Sequence, residues 1–189
     1  MSKSETGQDS FQITLLSQIK METIYIIILA FLAVLFIGPA IFANRSPIPE
    51  LSQNVYKIKE AGELDALLSS TTHLVVDFYA DWCPPCRAIA PVFSKLADAH
   101  SKNGQIAFVK VNVDHVQDVA KRYSISAMPT FMFFEKGAPK GVAVEGMQGR
   151  RSVSLTDDGR VAKVCGADRQ ALEAVVQALG SNEGNLKED

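Results

Sequence analysis

From Val55 onward, the chain alternates between two patterns of apolar residues. The segments HLVVDFYA, QIAFVKVNV and TFMFF are nearly continuous apolar runs, which predict buried strands. The segments between these runs have apolar residues at helical spacing instead. This alternation of strands and helices predicts an α/β fold with a central sheet. The remaining predicted elements are a short strand VYKI, a helix over EAGELDALLSS with Leu64, Leu67 and Leu68 on one face, a helix with Ile89, Val92, Phe93 and Leu96, a helix with Val116, Val119, Ala120 and Tyr123, and a last helix with Leu172, Val175, Val176 and Leu179 that stops at Gly180.

A different apolar pattern precedes this region. No charged residue occurs between Glu22 and Arg45, and residues 23–43 read TIYIIILAFLAVLFIGPAIFA. About 21 helical residues span roughly 30 Å, the thickness of a bilayer core. The run is longer than expected for a buried core helix or for the apolar region of a signal peptide, and it follows a mixed polar start. The sequence therefore predicts a retained single transmembrane helix over residues 23–43.

The flanking segments are polar. Residues 1–22 and 181–189 are predicted to be tails, and residues 44–54, with two prolines, are predicted to be a short tether.

Positive charges near the predicted span indicate its orientation. Lys20 lies on the N-terminal side, whereas Arg45, Lys57 and Lys59 lie on the C-terminal side. The positive-inside tendency then favours the C-terminal domain on the cytosolic side of the membrane. A mitochondrial or other organelle membrane is the alternative location.

Composition limits the function classes. The chain has 189 residues, a net charge of −2 and no run of Lys and Arg, so we expect no nucleic-acid partner. Three cysteines are too few for a disulfide-stapled scaffold. A structural zinc site usually needs four Cys or His ligands, and the three histidines are scattered, so we expect no metal site.

The motif WCPPC carries the candidate chemistry. Cys83 and Cys86 form a CxxC, and both prolines between them are acceptable in the first turn of a helix. A cysteine at a helix N-terminus has a lowered pKa because the helix dipole favours its thiolate. A second cysteine one turn on can attack a mixed disulfide and release the product. The spacing therefore indicates a redox pair.

The segment VVDFYADWCPPCRAIAPVF resembles the active-site segment of thioredoxins, whose usual motif is WCGPC. Further matches follow in family order: Lys110 in FVKVNVD, Pro129 in SAMPT and Gly166 in CGAD. The resemblance covers roughly Val55 to Leu179. It implies a thioredoxin domain over residues 55–180, with a central mixed sheet flanked by helices.

The resemblance also implies catalytic roles. Cys83 would be the attacking nucleophile, Cys86 the resolving thiol, Asp77 the proton acceptor behind Cys86, and Lys110 the positive partner of Asp77. Burial in an apolar strand should raise the pKa of the Asp77 carboxyl, which suits a general base near neutral pH. A surface acid at the end of the strand is the alternative for Asp77.

The same resemblance implies a substrate groove formed by Trp82, Met128, Pro129 and Gly166. Pro129, as a cis-proline, would expose the backbone of Met128 to an extended substrate. Core packing is the alternative role for Trp82.

Three features depart from the family. Pro84 replaces the usual glycine, so Pro84 and Pro85 both lack N–H donors for the Cys83 thiolate, which favours a more reducing protein. An insertion at about residues 138–160 is predicted to extend a hairpin with Asp158-Gly159 at its turn, either as decoration or as a docking surface. Cys165 places a third thiol beside the groove, either as a small half-buried residue or as a regulatory or dimer-forming thiol.

The sequence as a whole predicts a membrane-anchored protein-disulfide reductase that needs no cofactor. Its expected partners are disulfide-containing client proteins, the lipid bilayer, and a thioredoxin reductase or a membrane dithiol donor. An isomerase, oxidase or cytochrome-maturation protein facing an oxidising compartment is the second interpretation. A non-enzymatic membrane-bound interaction module is the third.

Overall fold

The computed structural model describes residues 23–35 and 46–182, which belong to two separate units divided after Asn44. In the first unit, residues 23–35 form a helix, α1, with exposed apolar side chains such as Phe31 and Val34. Within the described residues, no helix has both the length and the apolar character needed to cross a bilayer. The rest of the predicted span, residues 36–43, lies outside the described residues, as do the predicted tail at 1–22 and residues 183–189 of the tail predicted at 181–189. Residues 181 and 182 of that predicted tail are helical instead.

The second unit contains the predicted α/β fold. In chain order the elements are β1 (Val55–Ile58), α2 (Ala61–Ser70), β2 (His73–Tyr79), α3 (Pro84–His100), β3 (Ile106–Asn112), α4 (Gln117–Arg122), β4 (Thr130–Glu135), β5 (Ala138–Pro139), β6 (Val153–Leu155), β7 (Val161–Cys165) and α5 (Arg169–Asn182). The strands form one mixed sheet in the order β1-β3-β2-β4-β7-β6, with β5 paired to β4. β1, β3 and β2 pair in parallel, whereas β4 with β2, β7 with β4 and β6 with β7 each pair antiparallel.

Helices cover both faces of the sheet. Alternate residues of each central strand point to opposite faces, so Val75 packs towards α3 and α5 while Val76 packs towards α2 and α4. Both faces are therefore buried, which explains why β2 and β3 are nearly continuous apolar runs. Leu67 and Val92, predicted to face the core, are only half-buried.

The last helix does not stop at Gly180 as predicted. It continues to Asn182, and Gly180 lies inside it. A Cβ atom at this position would come within 3.3 Å of the His100 imidazole, so the glycine allows α5 to pass close to the end of α3. The glycine reflects helix packing, which the sequence pattern alone does not distinguish from a helix stop.

The insertion extends the sheet. Residues of β6 pair with β7 in an antiparallel hairpin, and Gly159 at its turn has a φ of 79°, which confirms the predicted Asp158-Gly159 turn. Val142 and Met147 from the same insertion are buried in the core cluster beneath α5. The insertion is therefore part of the folded core as well as an addition to its edge.

Residues 46–54, predicted to be a tether, lie against the domain. Ile48 is 3% exposed, and its N–H donates to the Asp81 carboxylate at 2.9 Å. Further along, the Ser52 hydroxyl donates to Asp98 on α3 at 2.5 Å. A composition of prolines and polar residues does not distinguish a free segment from one docked in an extended conformation. What docks this segment is the set of contacts that Ile48 and Ser52 make with residues far along the chain. We refer to residues 46–54 as the docked segment.

Candidate active site

The two cysteines lie at the start of α3. Cys83 is the N-cap of the helix, and its sulfur accepts a hydrogen bond from the Cys86 N–H at 3.2 Å. A disulfide joins the two residues. Pro84 and Pro85 occupy the first helical positions, as predicted, because neither proline has an N–H that would lose a partner there.

Both sulfur-bearing residues are well covered. Cys83 is 3% exposed and Cys86 is 1% exposed, and they pack with Tyr79 from β2 and Ala90 from α3. Ile48 of the docked segment completes this cluster, and Met128 packs against it. The redox pair therefore has apolar surroundings that include residues from the segment before β1 and from the loop before β4.

Asp77 and Lys110 lie next to each other beneath α3. They are directly paired in register between β2 and β3, and each is 1% exposed. Asp77 shares a strand face with Val75 and Tyr79, which contact α3. The Lys110 ammonium lies 5.5 Å from the centre of the Tyr79 ring. The structure thus brings these two predicted residues together and excludes the alternative of a surface acid at Asp77.

Burial determines the proton affinity of Asp77. It raises the pKa of the carboxyl to about 7, against an opposing effect of the Lys110 cation and with a further raising effect of the Glu50 carboxylate. A carboxyl that titrates near neutral pH can accept and release a proton under ordinary conditions. Burial, together with the charges of Asp81 and Asp77, also raises the pKa of Tyr79 to about 12, so this neighbouring phenol stays protonated.

Glu50 is a member of this cluster that the sequence analysis missed. Its Oε2 lies 3.4 Å from the Lys110 ammonium, and its Oε1 accepts a hydrogen bond from Ser94 of α3 at 2.8 Å. A buried lysine in an apolar strand needs compensation, so Lys110 signals that carboxylates lie nearby. That signal does not identify Glu50, because the residue belongs to a segment with no regular secondary structure.

Three of the four predicted groove residues, Met128, Pro129 and Gly166, lie around one loop. The Met128–Pro129 peptide bond is cis, as predicted, and Met128 is half-buried beside the redox cluster. The Gly166 N–H donates to the Pro129 carbonyl at 2.8 Å. Gly166 has a φ of 79°, a backbone conformation that favours glycine, and a Cβ there would meet no atom within 4 Å. Its glycine is therefore required by the turn rather than by lack of space.

Trp82 lies at the surface beside the cysteines. It is 43% exposed, and its indole N–H donates to the Asp114 carboxylate at 2.8 Å. Core packing, the alternative weighed for this residue, is therefore wrong. The exposed ring flanks the redox pair and remains available to a bound substrate.

Cys165 ends β7 next to the cis-proline loop. It pairs in register with Thr130, whose hydroxyl lies 3.7 Å from the Cys165 sulfur, and the thiol is free and half-buried. Its backbone N–H donates to the Ser152 carbonyl of the insertion at 2.6 Å. This position matches the predicted placement beside the groove, and a regulatory role remains a prediction.

This site has the features of a thiol–disulfide oxidoreductase. It combines a cysteine pair at a helix N-terminus with a buried acid beneath that helix and a cis-proline loop beside the cysteines. The thioredoxin family model matches residues 55–158. A thioredoxin-like protein of Fusarium culmorum is 52% identical over 126 residues, covering 67% of this chain and 91% of that protein. A thioredoxin of Neurospora crassa is 44% identical over 130 residues, covering 69% of this chain and 90% of its own.

Solved structures agree with these matches. The crystal structure of Malassezia sympodialis thioredoxin superimposes with a TM-score of 0.52 at 29% identity, covering 67% of this chain and 90% of that one. The chain belongs to the thioredoxin family. It is therefore a thiol–disulfide oxidoreductase that acts on disulfide-containing substrates.

Proposed function

We propose that this protein is a protein-disulfide reductase held at a membrane by residues 23–43. The observation that carries the reductase direction is the way in which Cys83 caps α3. An N-cap side chain accepts hydrogen bonds from the second and third helical residues, and here these are Pro85 and Cys86. Only the Cys86 N–H reaches the sulfur, because Pro85 has none.

This donor count determines the redox preference. A thiolate that receives fewer hydrogen bonds is less stable, so the reduced protein is less stable relative to the disulfide form. Such a protein gives up its electrons more readily. Pro84 lies at the first helical position, whose N–H does not cap the helix, so the prediction that Pro84 removes a second donor is wrong and its remaining effect is to stiffen the loop.

The reaction passes two electrons to the client. The Cys83 thiolate attacks a client disulfide, forming a mixed disulfide and releasing one client thiolate, which takes up a proton. Asp77 accepts the proton of the Cys86 thiol. The resulting Cys86 thiolate attacks the Cys83 sulfur, which forms the Cys83–Cys86 disulfide and releases the second client sulfur as a thiolate. A thioredoxin reductase or a membrane dithiol donor then returns two electrons.

The membrane proposal rests on residues 23–43. They carry no charge, and residues 23–35 are helical with exposed apolar side chains. Fractionation of cells producing the full chain tests it: we expect the protein to stay in the membrane fraction after alkaline washing. Replacing Ile28 and Leu32 by lysine should release it, and Ile28→Leu is the matched control. Protease protection in the same fractions tests the proposed cytosolic side.

The reductase proposal is tested by the reduction potential of the full chain in defined redox buffers. We expect a value near or below about −260 mV, close to that of thioredoxin. Pro85→Ala restores an N–H at the second helical position and should raise the potential by about 30 mV or more. Pro84→Ala restores one at the first position, which does not point at the cap, and serves as the control. A native value above about −200 mV would instead indicate an isomerase or oxidase in an oxidising compartment.

A further inference from the structure

We propose that Glu50 is a positioning residue of the redox centre, which pairs with the Lys110 cation beside Asp77 and thereby keeps Asp77 a stronger proton acceptor. The proposal rests on the proposed role of Asp77 in accepting the Cys86 proton. Glu50 belongs to the docked segment and therefore lies outside the CxxC helix, the central strands and the cis-proline loop.

The geometry around Glu50 is specific. Its two carboxylate oxygens have different partners. Oε1 accepts from the Ser94 hydroxyl at 2.8 Å and from the Leu51 N–H at 3.1 Å, and Oε2 faces the Lys110 ammonium at 3.4 Å. The Glu50 side chain is only 17% exposed, and Lys110 is 1% exposed. A carboxylate held by a helix on one side and by a buried cation on the other is fixed in place rather than sampling solvent.

The docked segment holds this arrangement from both sides of Glu50. On the N-terminal side, the Ile48 N–H donates to Asp81, and the Lys57 ammonium donates to the Ile48 carbonyl at 3.2 Å. On the C-terminal side, Ser52 donates to Asp98. The three anchoring contacts reach two different elements and the loop before Cys83, so the position of Glu50 follows from the docking of the segment.

The consequence is electrostatic. Lys110 alone would favour the ionised form of Asp77 and make it a weaker base. Glu50 adds a negative charge near Asp77, and this charge opposes the effect of Lys110 and favours the protonated form of Asp77. The groups that face Asp77 are Lys110 from β3, Glu50 from the docked segment and the neutral phenol of Tyr79 from β2.

Proton affinity matters in a particular step. The Cys86 thiol must lose its proton before its sulfur can attack the mixed disulfide. A carboxylate with a very low pKa would accept this proton poorly, whereas one that titrates near neutral pH accepts it efficiently. Glu50 therefore acts on the rate of resolution through Asp77, without contacting the substrate or either cysteine.

The test is a titration of the full-length oxidised protein in detergent micelles, with aspartate labelled by ¹³C at the side-chain carboxyl. The native Asp77 signal should have its midpoint near pH 7. In Glu50→Gln, which keeps the size and an acceptor for Ser94, the midpoint should fall by on the order of half a pH unit to one pH unit. The acidic limb of the pH–rate profile for insulin disulfide reduction should move in the same direction.

Two further variants separate charge from docking. Asp98→Asn weakens the anchor at Ser52 but keeps the charge of Glu50, so its midpoint should fall by less than in Glu50→Gln. Ser94→Ala removes one of the two donors to Oε1 of Glu50 and leaves the Leu51 N–H, so its midpoint should also fall by less than in Glu50→Gln. An unchanged or higher midpoint in Glu50→Gln would overturn the proposal, as would a larger fall in Asp98→Asn than in Glu50→Gln.

The titration also distinguishes this proposal from the one on which it rests. If Asp77→Asn kept the native rate and pH profile, Asp77 would not be the proton acceptor, and the kinetic part of the inference would fail with it. The carboxyl midpoint would still report whether Glu50 acts on Asp77, because that measurement requires no turnover.

Discussion

The docked segment and the insertion are both additions to the repeating strand–helix pattern, yet they reach the core in different ways. The docked segment places a carboxylate, Glu50, beside a buried lysine beneath α3. The insertion places apolar side chains, Val142 and Met147, beneath α5. The first addition therefore acts on proton affinity at the redox centre, and the second acts on packing. Position in the sequence does not reveal which of the two is close to the chemistry.

Buried charge and buried apolar surface therefore respond to different tests. A change in the charged region should produce effects that depend on pH, because its groups titrate differently in the folded and unfolded chain. A change in the buried apolar side chains of the insertion, Val142 and Met147, should alter stability equally at every pH, because these side chains do not titrate.

We expect the greatest change in the free energy of unfolding for a substitution at Asp77. The pKa of Asp77 is about 7 in the folded protein against an ordinary value of 3.8, so the folded state binds the proton more tightly. Stability is therefore highest below about pH 4 with respect to this group, falls as pH rises through 7, and is then constant. Asp77→Asn should remove this dependence on pH. The change that it causes in the free energy of unfolding should therefore be more favourable at pH 8 than near pH 4 by roughly 4 kcal/mol.

Urea unfolding at a series of pH values measures that gain. A gain of the same size at pH 5 and pH 8 would contradict the assignment of a near-neutral titration to Asp77. Asp158→Asn, at an exposed acid whose pKa is lowered by its hydrogen bond from Thr156, is the control: this carboxyl is ionised at both pH values in the folded and the unfolded chain, so its effect should be the same at pH 5 and pH 8.

The next effect is on the apolar side. Met147 is 5% exposed within the core, and Met147→Ala should lower the free energy of unfolding by about 2–3 kcal/mol, because a cavity replaces its side chain. The loss should be the same at pH 5 and pH 8, and the pH–rate profile should not move. Gln148→Ala, at the exposed neighbouring position, should leave stability close to native. A pH-dependent loss in Met147→Ala would break the distinction between the two regions.

The smallest effect belongs to the junction between the insertion and α5. Burial alone would raise the pKa of Asp168, but hydrogen bonds from Ser152 and the Ala171 N–H, together with the Arg150 cation, lower it. Asp168→Ala should cost about 1 kcal/mol, because the side chain satisfies a backbone N–H at the start of α5. Asp168→Asn should recover part of that loss, since asparagine is also a good cap.

The contribution of Asp168 to stability should depend on pH in the opposite direction to that of Asp77. A carboxyl with a lowered pKa stabilises the protein above its unfolded pKa, and this contribution is lost as the pH falls into the acid range. Thermal unfolding measured between pH 6 and pH 3 should therefore show that the melting temperature falls more steeply with decreasing pH in the native protein than in Asp168→Asn. A native loss no larger than that of the variant would contradict the role of this contact.

Much of the domain could be predicted because its pattern is local. Continuous apolar runs identify β2, β3 and β4, and the cysteine motif identifies the start of α3 without reference to any distant residue. The Asp158-Gly159 turn could be predicted for the same reason, since a type of turn depends on a few adjacent residues.

The remaining features depend on contacts between distant residues. Gly180 looks like a helix stop, and only the approach of His100 shows why it lies inside α5. Ile48 and Glu50 look like parts of a tether, because a proline-containing segment has the same composition whether it is free or docked. Their partners lie more than thirty residues away along the chain, and neither position has a local signature.

The placement of Glu50 separates two properties that are usually read from one motif. The cysteines fix which bond is exchanged, whereas a residue well before them in the chain contributes to the acidity at which exchange is fastest. Working pH could then be adjusted in evolution or by engineering through one substitution outside the CPPC sequence. Two proteins with the same motif, and even the same reduction potential, would be matched to compartments of different acidity.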